Sequence, residues 1–326
     1  MHKTWSRFLG VCLLAASTHV CAAWPEREVN LTVMYGVGGN TDLVARAVAD
    51  KLAKIWGKPV VVHNRVGGQG TVAIDWLSRQ APDGYQLGMV TGSSIALAPH
   101  LNKVEYRPDD FTFLGAFGSV RLGVAVNASS GIDSMEALIT EAKKREVFLG
   151  SGAVLNSLLL LDMNKKLGTK FVNVPYKSGA EVQTALMGKH VDVIVGNPTD
   201  IVQHLPAGMR LLSVAGERPW PETPAVPTLT QLKLSTVDVV SWLGLAGPKG
   251  LSPDVRKAVE DALAQLAADP EFQKRMNDLG TDTIQASGED TAKYMSSRYV
   301  QWRDGLVAAG LLEDTKPVQT VRGASQ

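Results

Sequence analysis

Cysteine is nearly missing from this chain: its 326 residues hold two, Cys12 and Cys21. Both fall in the first 23 residues, and everything after Ala23 is free of thiols. That excludes a disulfide framework, a Cys-ligated zinc site and a Cys nucleophile from residue 24 onward. Histidine is sparse there too: His63, His100, His190 and His204. No two of these stand four apart and no His-Glu-x-x-His occurs, so no helical metal pair is written into the sequence. A Gly-x-Ser-x-Gly elbow is absent, because Gly150-Ser151-Gly152 sets its glycines at the wrong offsets. Neither charge sign dominates: 33 Lys and Arg face 32 Asp and Glu. Such balance gives no support to binding of nucleic acid or of a membrane surface. These absences argue against an enzyme, a resident metal or a cofactor.

What is present starts with an export signal. Lys3 and Arg7 make a cationic start, residues 8–17 are an apolar run, and Cys21-Ala22-Ala23 is a small-residue cleavage site. A membrane anchor and a lipid anchor at Cys21 are the other readings of this segment. The run is shorter than the roughly 20 apolar residues a span needs, and Thr18, His19 and Val20 are not the small residues a lipid anchor favours. The expected leader is therefore 1–23, with a soluble exported chain from Trp24. Losing Lys3 and Arg7 leaves 31 bases against 32 acids, a formal charge of −1. Roughly 300 residues fold without staples, usually as two domains.

Strand and helix patterns alternate from residue 29. Residues 29–35 read as a strand, and 42–55 carry Leu43, Val44, Ala47, Val48, Leu52 and Ile55 on one helical face. A strand at 59–62, a helix at 72–80 and a strand at 86–91 follow. A second block repeats the order: strands at 122–126, 147–151, 170–174, 191–195 and 211–215, with helices at 134–145, 157–167 and 180–187 between them. Residues 237–246 are extended and apolar, and the tail is helical, ending in a long helix at 289–309. This order predicts an α/β protein of two lobes, each a parallel-type sheet with flanking helices. The chain is expected to cross near Gly123 and Trp242. The expected lobes are 24–122 with 245–326, and 123–244. Ligands in such folds sit at the carboxyl ends of the strands.

The glycine loops stand at those ends. Tyr35-Gly36-Val37-Gly38-Gly39-Asn40-Thr41-Asp42 follows a strand and opens a helix. Glycines let backbone N–H groups approach a ligand, and a helix N-terminus carries roughly +0.5 elementary charge, so the segment can hold an anion without a cation. It can equally be a plain strand–helix turn. Gly67-Gly68-Gln69-Gly70, Thr91-Gly92-Ser93-Ser94, Ser151-Gly152 with Asn156 and Ser157, and Asn197 occupy similar places. Each alone reads as a turn; their recurrence in both blocks favours a site. Tyr176-Lys177-Ser178-Gly179 reads as a turn or a pocket donor.

Together these segments resemble the periplasmic solute-binding proteins of the tripartite tricarboxylate transporters, the Bug type. The resemblance also rests on residues 58–65, 81–85, 174–179 and 191–197 and on Ser241-Trp242, and runs from about Trp24 to Leu312. It implies a two-lobed Venus flytrap and a periplasmic receptor for a small carboxylate. The partners it implies are that ligand and the integral-membrane permease subunits of the transporter, with the receptor a monomer. By motif, first-lobe contacts would be Tyr35, Gly38, Gly39, Asn40, Thr41 and Asp42, with Gly70 and Ser93 or Ser94 nearby. Second-lobe contacts would be Ser151, Asn156, Ser157 and Asn197, with Tyr176 and Trp242 lining the cleft. The sequence departs from the family's pattern at Gly38, where a proline is common, at Val154, Leu155 and Leu158 in the second-lobe loop, and at Gly196, where an Asp is frequent. These changes remove polar partners, and an unpaired buried polar group costs about 1–3 kcal/mol. The expectation is a ligand with one carboxylate and an apolar or aromatic body. A co-sensor for a membrane kinase is an alternative. So is an exported α/β enzyme, which would need a base among Asp42, His63, Tyr176 or Lys177.

Overall fold

The computed structural model describes residues 24–216, 218–234, 241–309 and 312–313. The expected leader lies outside them, as do residues 235–240 of the expected extended segment.

The elements follow in order: β1 (Val29–Val33), α1 (Asn40–Trp56), β2 (Val60–Asn64), α2 (Thr71–Ser78), β3 (Gln86–Thr91), α3 (Ala98–Leu101) and β4 (Phe111–Val120). The middle of the chain forms β5 (Gly123–Asn127), α4 (Met135–Lys144), β6 (Val147–Ser151), α5 (Val154–Leu167), β7 (Phe171–Pro175), α6 (Gly179–Met187), β8 (Val193–Gly196), α7 (Pro198–Ile201) and β9 (Met209–Val214). The chain then returns through β10 (Ser241–Pro248), α8 (Pro253–Ala268), α9 (Pro270–Asp278), β11 (Thr281–Ala286) and α10 (Gly288–Ala309).

Two sheets result. The first has the order β11-β4-β10-β3-β1-β2, the second β7-β6-β8-β5-β9. Both are mixed, which corrects the expectation of parallel sheets. β1 pairs with β2 and β3 in parallel, as β6 does with β7 and β8. The strands that carry the chain between sheets run the other way: β10 against β3 and β4, and β5 against β8 and β9. β4 ends at Val120 and β5 begins at Gly123, so only Arg121 and Leu122 span the first crossing.

β4 and β11 do not appear in the periodicity. β4 reads Phe-Thr-Phe-Leu-Gly-Ala-Phe-Gly-Ser-Val, with Gly115 at φ +130 and register slips against β10 on either side of the Gly244–Leu245 pair. The glycines interrupt the β-branched pattern and allow the bulges.

The helices bury faces that their spacing dictates. In α1, Val44, Val48 and Leu52 recur every four residues beside Ala45 and Ala49, and all are buried. Gly57 closes the helix in the left-handed region at φ 61. In α8, Ser252 caps the Val255 N–H and Pro253 occupies the first turn. Each Val or Leu so buried contributes about 1.5–3 kcal/mol. Helices α1, α2, α8 and α9 pack on the first sheet. The second core takes in α4 and α5 and also residues far away in sequence, namely Ala96, Leu97 and Ala98 before β4 and Trp302 and Leu306 of α10.

Candidate ligand-binding site

A cavity of about 60 Å³ lies where the carboxyl ends of β1, β3, β6, β7 and β8 converge. One side is built from Tyr35, Gly39, Asn40 and Thr41 after β1 and from Thr91 and Ser93 at the end of β3. The facing side comes from Gly152, Ala153 and Asn156 after β6, Ser178 and Gly179 after β7, and Asn197 and Asp200 after β8. Val120, Leu122 and Ser241 of the crossing segments form the floor, and Leu155, Val182 and Val195 add apolar wall.

Three helices of more than two turns start at this cavity. α1 begins at Asn40 behind Gly39, and α5 begins at Val154 behind Ala153; neither cap residue has a side chain to offer. α6 begins behind Ser178, whose hydroxyl accepts the Glu181 N–H. The first N–H groups of a helix lack intrahelical partners, and the dipole adds positive potential. Two uncapped N-termini and a third facing one cavity give it the electrostatics of an anion site without a Lys or Arg in the lining among the described residues.

The two sides already touch. The Gly36 N–H donates to the Lys177 carbonyl at 3.1 Å. Asn40 Nδ2 donates to Thr199 Oγ1 at 3.4 Å and to the Leu279 carbonyl. At the first crossing, Arg121 Nη1 pairs with Glu222 at 3.0 Å while Nη2 reaches the Asn277 carbonyl at 3.3 Å.

Seven residues singled out in the sequence line the cavity: Tyr35, Gly39, Asn40, Thr41, Ser93, Asn156 and Asn197. The others stand around it. Asp42 is buried but faces Arg46 (2.9 Å), Asn64 (2.8 Å) and the Gly38 N–H (3.0 Å), so Gly38 and Asp42 brace the first loop from behind. Burial pushes the Asp42 carboxyl up, but Arg46, Gly38 and Asn64 outweigh it and hold the group below the usual range. Gly70 backs the Tyr35 ring. Ser94 spends its hydroxyl on Thr91, accepting the Thr91 N–H at 3.1 Å. The Ser151 hydroxyl goes to Asn173 at 2.6 Å. Ser157 is buried on α5 outside the lining. Tyr176 packs on the core under α6. Trp242 stacks on Tyr294, with ring centroids 4.1 Å apart and 6° between planes.

Asp200 is a lining residue that no sequence pattern marks, while Ser178, Gly179 and Ser241 line the cavity within segments already noted, though not as expected contacts. Ser178 with Glu181 has the spacing of a helix cap, which marks a helix start and not a site. Asp200 in Asn-Pro-Thr-Asp looks like one more capping acid. In the structure its carboxylate is fully buried and accepts from the Asn197 N–H (3.0 Å) and Gln183 Nε2 (3.1 Å). Burial pushes it above the ordinary carboxylate range, against the pull of those donors. Burial likewise raises the Tyr35 hydroxyl, against the pull of the neighbouring Ser93 and Thr91 hydroxyls.

The family described as tripartite tricarboxylate transporter family receptor, TctC, matches residues 44–311. The chain belongs to this receptor family. A UPF0065 protein of Bordetella bronchiseptica is 30% identical to the receptor over 314 residues, spanning 93% of this chain and 92% of that one. Protein BugT of Bordetella pertussis is 27% identical over 305 residues, 90% of each. The solved structure of periplasmic binding protein BugD matches the receptor with a TM-score of 0.83 at 28% identity, covering 89% of this chain and 99% of that one. The receptor therefore has the two-lobed periplasmic-binding-protein fold, and it is of the Bug type.

Proposed function

We propose that this receptor captures a small carboxylate in the cavity between its lobes, in the periplasm, and delivers it to the integral-membrane permease subunits of a tripartite transporter. The lobes of this reading are the first sheet and the second sheet with the helices packed on each, β10 (Ser241–Pro248) belonging to the first. The observation that carries the reading is the pair of uncapped N-termini, α1 at Gly39-Asn40 and α5 at Ala153, opening on one cavity. They neutralise a carboxylate with backbone N–H groups from both sides, so the contacts are complete only when the lobes close. The Val120, Leu122, Leu155, Val182 and Val195 side chains leave the rest of the ligand an apolar environment.

A thermal-shift panel of mono-, di-, tricarboxylic and aromatic acids on the chain from Trp24 tests this. A true ligand at about 100 times its dissociation constant adds roughly 2.7 kcal/mol, and it is recovered unaltered. Tight citrate binding with indifference to monocarboxylates would overturn the apolar-body reading. Stabilisation by no organic acid at all would overturn the receptor reading.

A further inference from the structure

Asp200 is a carboxylate built into the wall of a cavity that otherwise favours anions. It is 4% exposed, and no Lys or Arg stands beside it in the lining among the described residues. Two glycines leave the space it fills: a Cβ on Gly179 would overlap its oxygens, and one on Gly196 would lie 3.3 Å from Oδ2. Its hydrogen-bond partners are uncharged donors. Oδ2 accepts the Asn197 N–H at 3.0 Å and Asn197 Nδ2 at 3.3 Å, and Oδ1 accepts Gln183 Nε2 at 3.1 Å. On its other side the Gln183 amide meets His204 Nε2 through Oε1 at 2.8 Å.

These are the donors that a second carboxylate of a ligand would need at this end of the cavity, and Asp200 has already taken them. Asn40 offers no replacement, because its Nδ2 donates to the Leu279 carbonyl and to Thr199 Oγ1 at 3.4 Å. A diacid with one carboxylate at the N-termini of α1 and α5 would bring its other charge into the same small cavity as Asp200. Two like charges about 6 Å apart, at an effective dielectric of about 20, disfavour each other by roughly a hundredfold. The second charge would also be buried without a partner, which is costly in itself. A monoacid brings a methyl group or a ring to the same place, where the apolar wall receives it.

We propose that Asp200 is a specificity-determining residue: it stands where a diacid's second carboxylate would go and restricts the receptor to acids with a single carboxylate. This rests on the carboxylate-receptor reading and assigns its one-carboxylate preference to a named side chain.

Matched pairs that exchange a methyl group for a carboxylate test it. Titration calorimetry at neutral pH on the chain from Trp24 compares butyrate with succinate, pentanoate with glutarate and 4-methylbenzoate with terephthalate. At least one monoacid is expected to bind roughly tenfold or more tightly than its diacid. Asp200→Asn is expected to bind that diacid severalfold more tightly than wild type does, with Asp200→Ser in its place if circular dichroism shows the amide variant unfolded. A merely structural role would lower both affinities and raise neither. Diacids binding the wild type as tightly as their monoacids, or a folded variant whose diacid affinity does not rise, would overturn the assignment to Asp200 and leave the carboxylate receptor standing. Failure of every acid to bind the wild type and the variants would overturn both.

Discussion

The Gly36 N–H and the Lys177 carbonyl join the loop after β1 to the loop after β7 across the cavity, 3.1 Å apart. The approach depends on Gly36 having no side chain, because a Cβ there would lie 3.2 Å from Ser178 Cβ. Gly36→Val is expected to wedge the two loops apart. Its small-angle scattering should show a larger radius of gyration than wild type with ligand present. Affinity should fall by at least the roughly 2–10-fold that one net hydrogen bond represents. An unchanged radius and affinity would mean that this contact does not hold the lobes together.

Gly179 and Asp200 are in closer contact still. A Cβ on Gly179 would overlap the Asp200 carboxylate. Gly179→Ala should cost about 1–3 kcal/mol by overpacking, read as a lower denaturant midpoint. The double variant with Asp200→Ala should recover part of that loss, because neighbours that share one clash are not additive. Strict additivity of the two would place the strain elsewhere.

The pH dependence of stability follows from the same carboxylate. Asp200 binds its proton more tightly folded than unfolded, because burial raises its pKa. Its contribution to stability is therefore fully present below the ordinary aspartate value of about 3.9 and is lost as pH rises through the higher folded value. Asp200→Asn should remove that part of the pH profile and flatten the acid side of a denaturation series. Asp42 acts in the opposite sense. Its pKa is lowered by Arg46, Gly38 and Asn64 against the effect of burial, so its contribution is present above the ordinary value and lost as pH falls through the folded one.

Asp42 also separates bracing from binding. Asp42→Ala leaves the Gly38 N–H, the Arg46 guanidinium and the Asn64 amide without their shared acceptor. Gly38 and Arg46 are exposed and can turn to water, so a total loss of about 1–3 kcal/mol in unfolding free energy is expected. Ligand affinity should fall as well, through a looser first loop. Weaker binding with unaltered stability would instead place Asp42 against the ligand.

Much of the local structure was legible because it is locally determined. The α1 stripe of Val44, Val48 and Leu52, the loop of Gly36, Gly38 and Gly39 behind β1, and the buried run that becomes β8 follow from spacing and from glycine's freedom. Where local preference and tertiary structure diverged, the signal failed. β4 is hidden by Gly115 and Gly118, which serve bulges that exist only because β10 lies alongside. Ser94 and Ser151 sit at strand ends as a site residue would, yet Thr91 and Asn173 take up their hydroxyls.

The sequence by itself determined an alternating strand–helix chain with glycine-rich turns at strand ends and no thiol or helical histidine pair after residue 23. Those properties are short-range: they depend on neighbours within a turn or a strand. The tertiary structure decided which turns share a cavity, because that depends on how two sheets joined by two residues at Arg121-Leu122 face each other. It also made Asp200 a buried carboxylate beside Asn40, although 159 residues separate Asn40 from its hydrogen-bond partner Thr199, the residue before Asp200. No periodicity reaches that far along a chain; only packing brings such residues together.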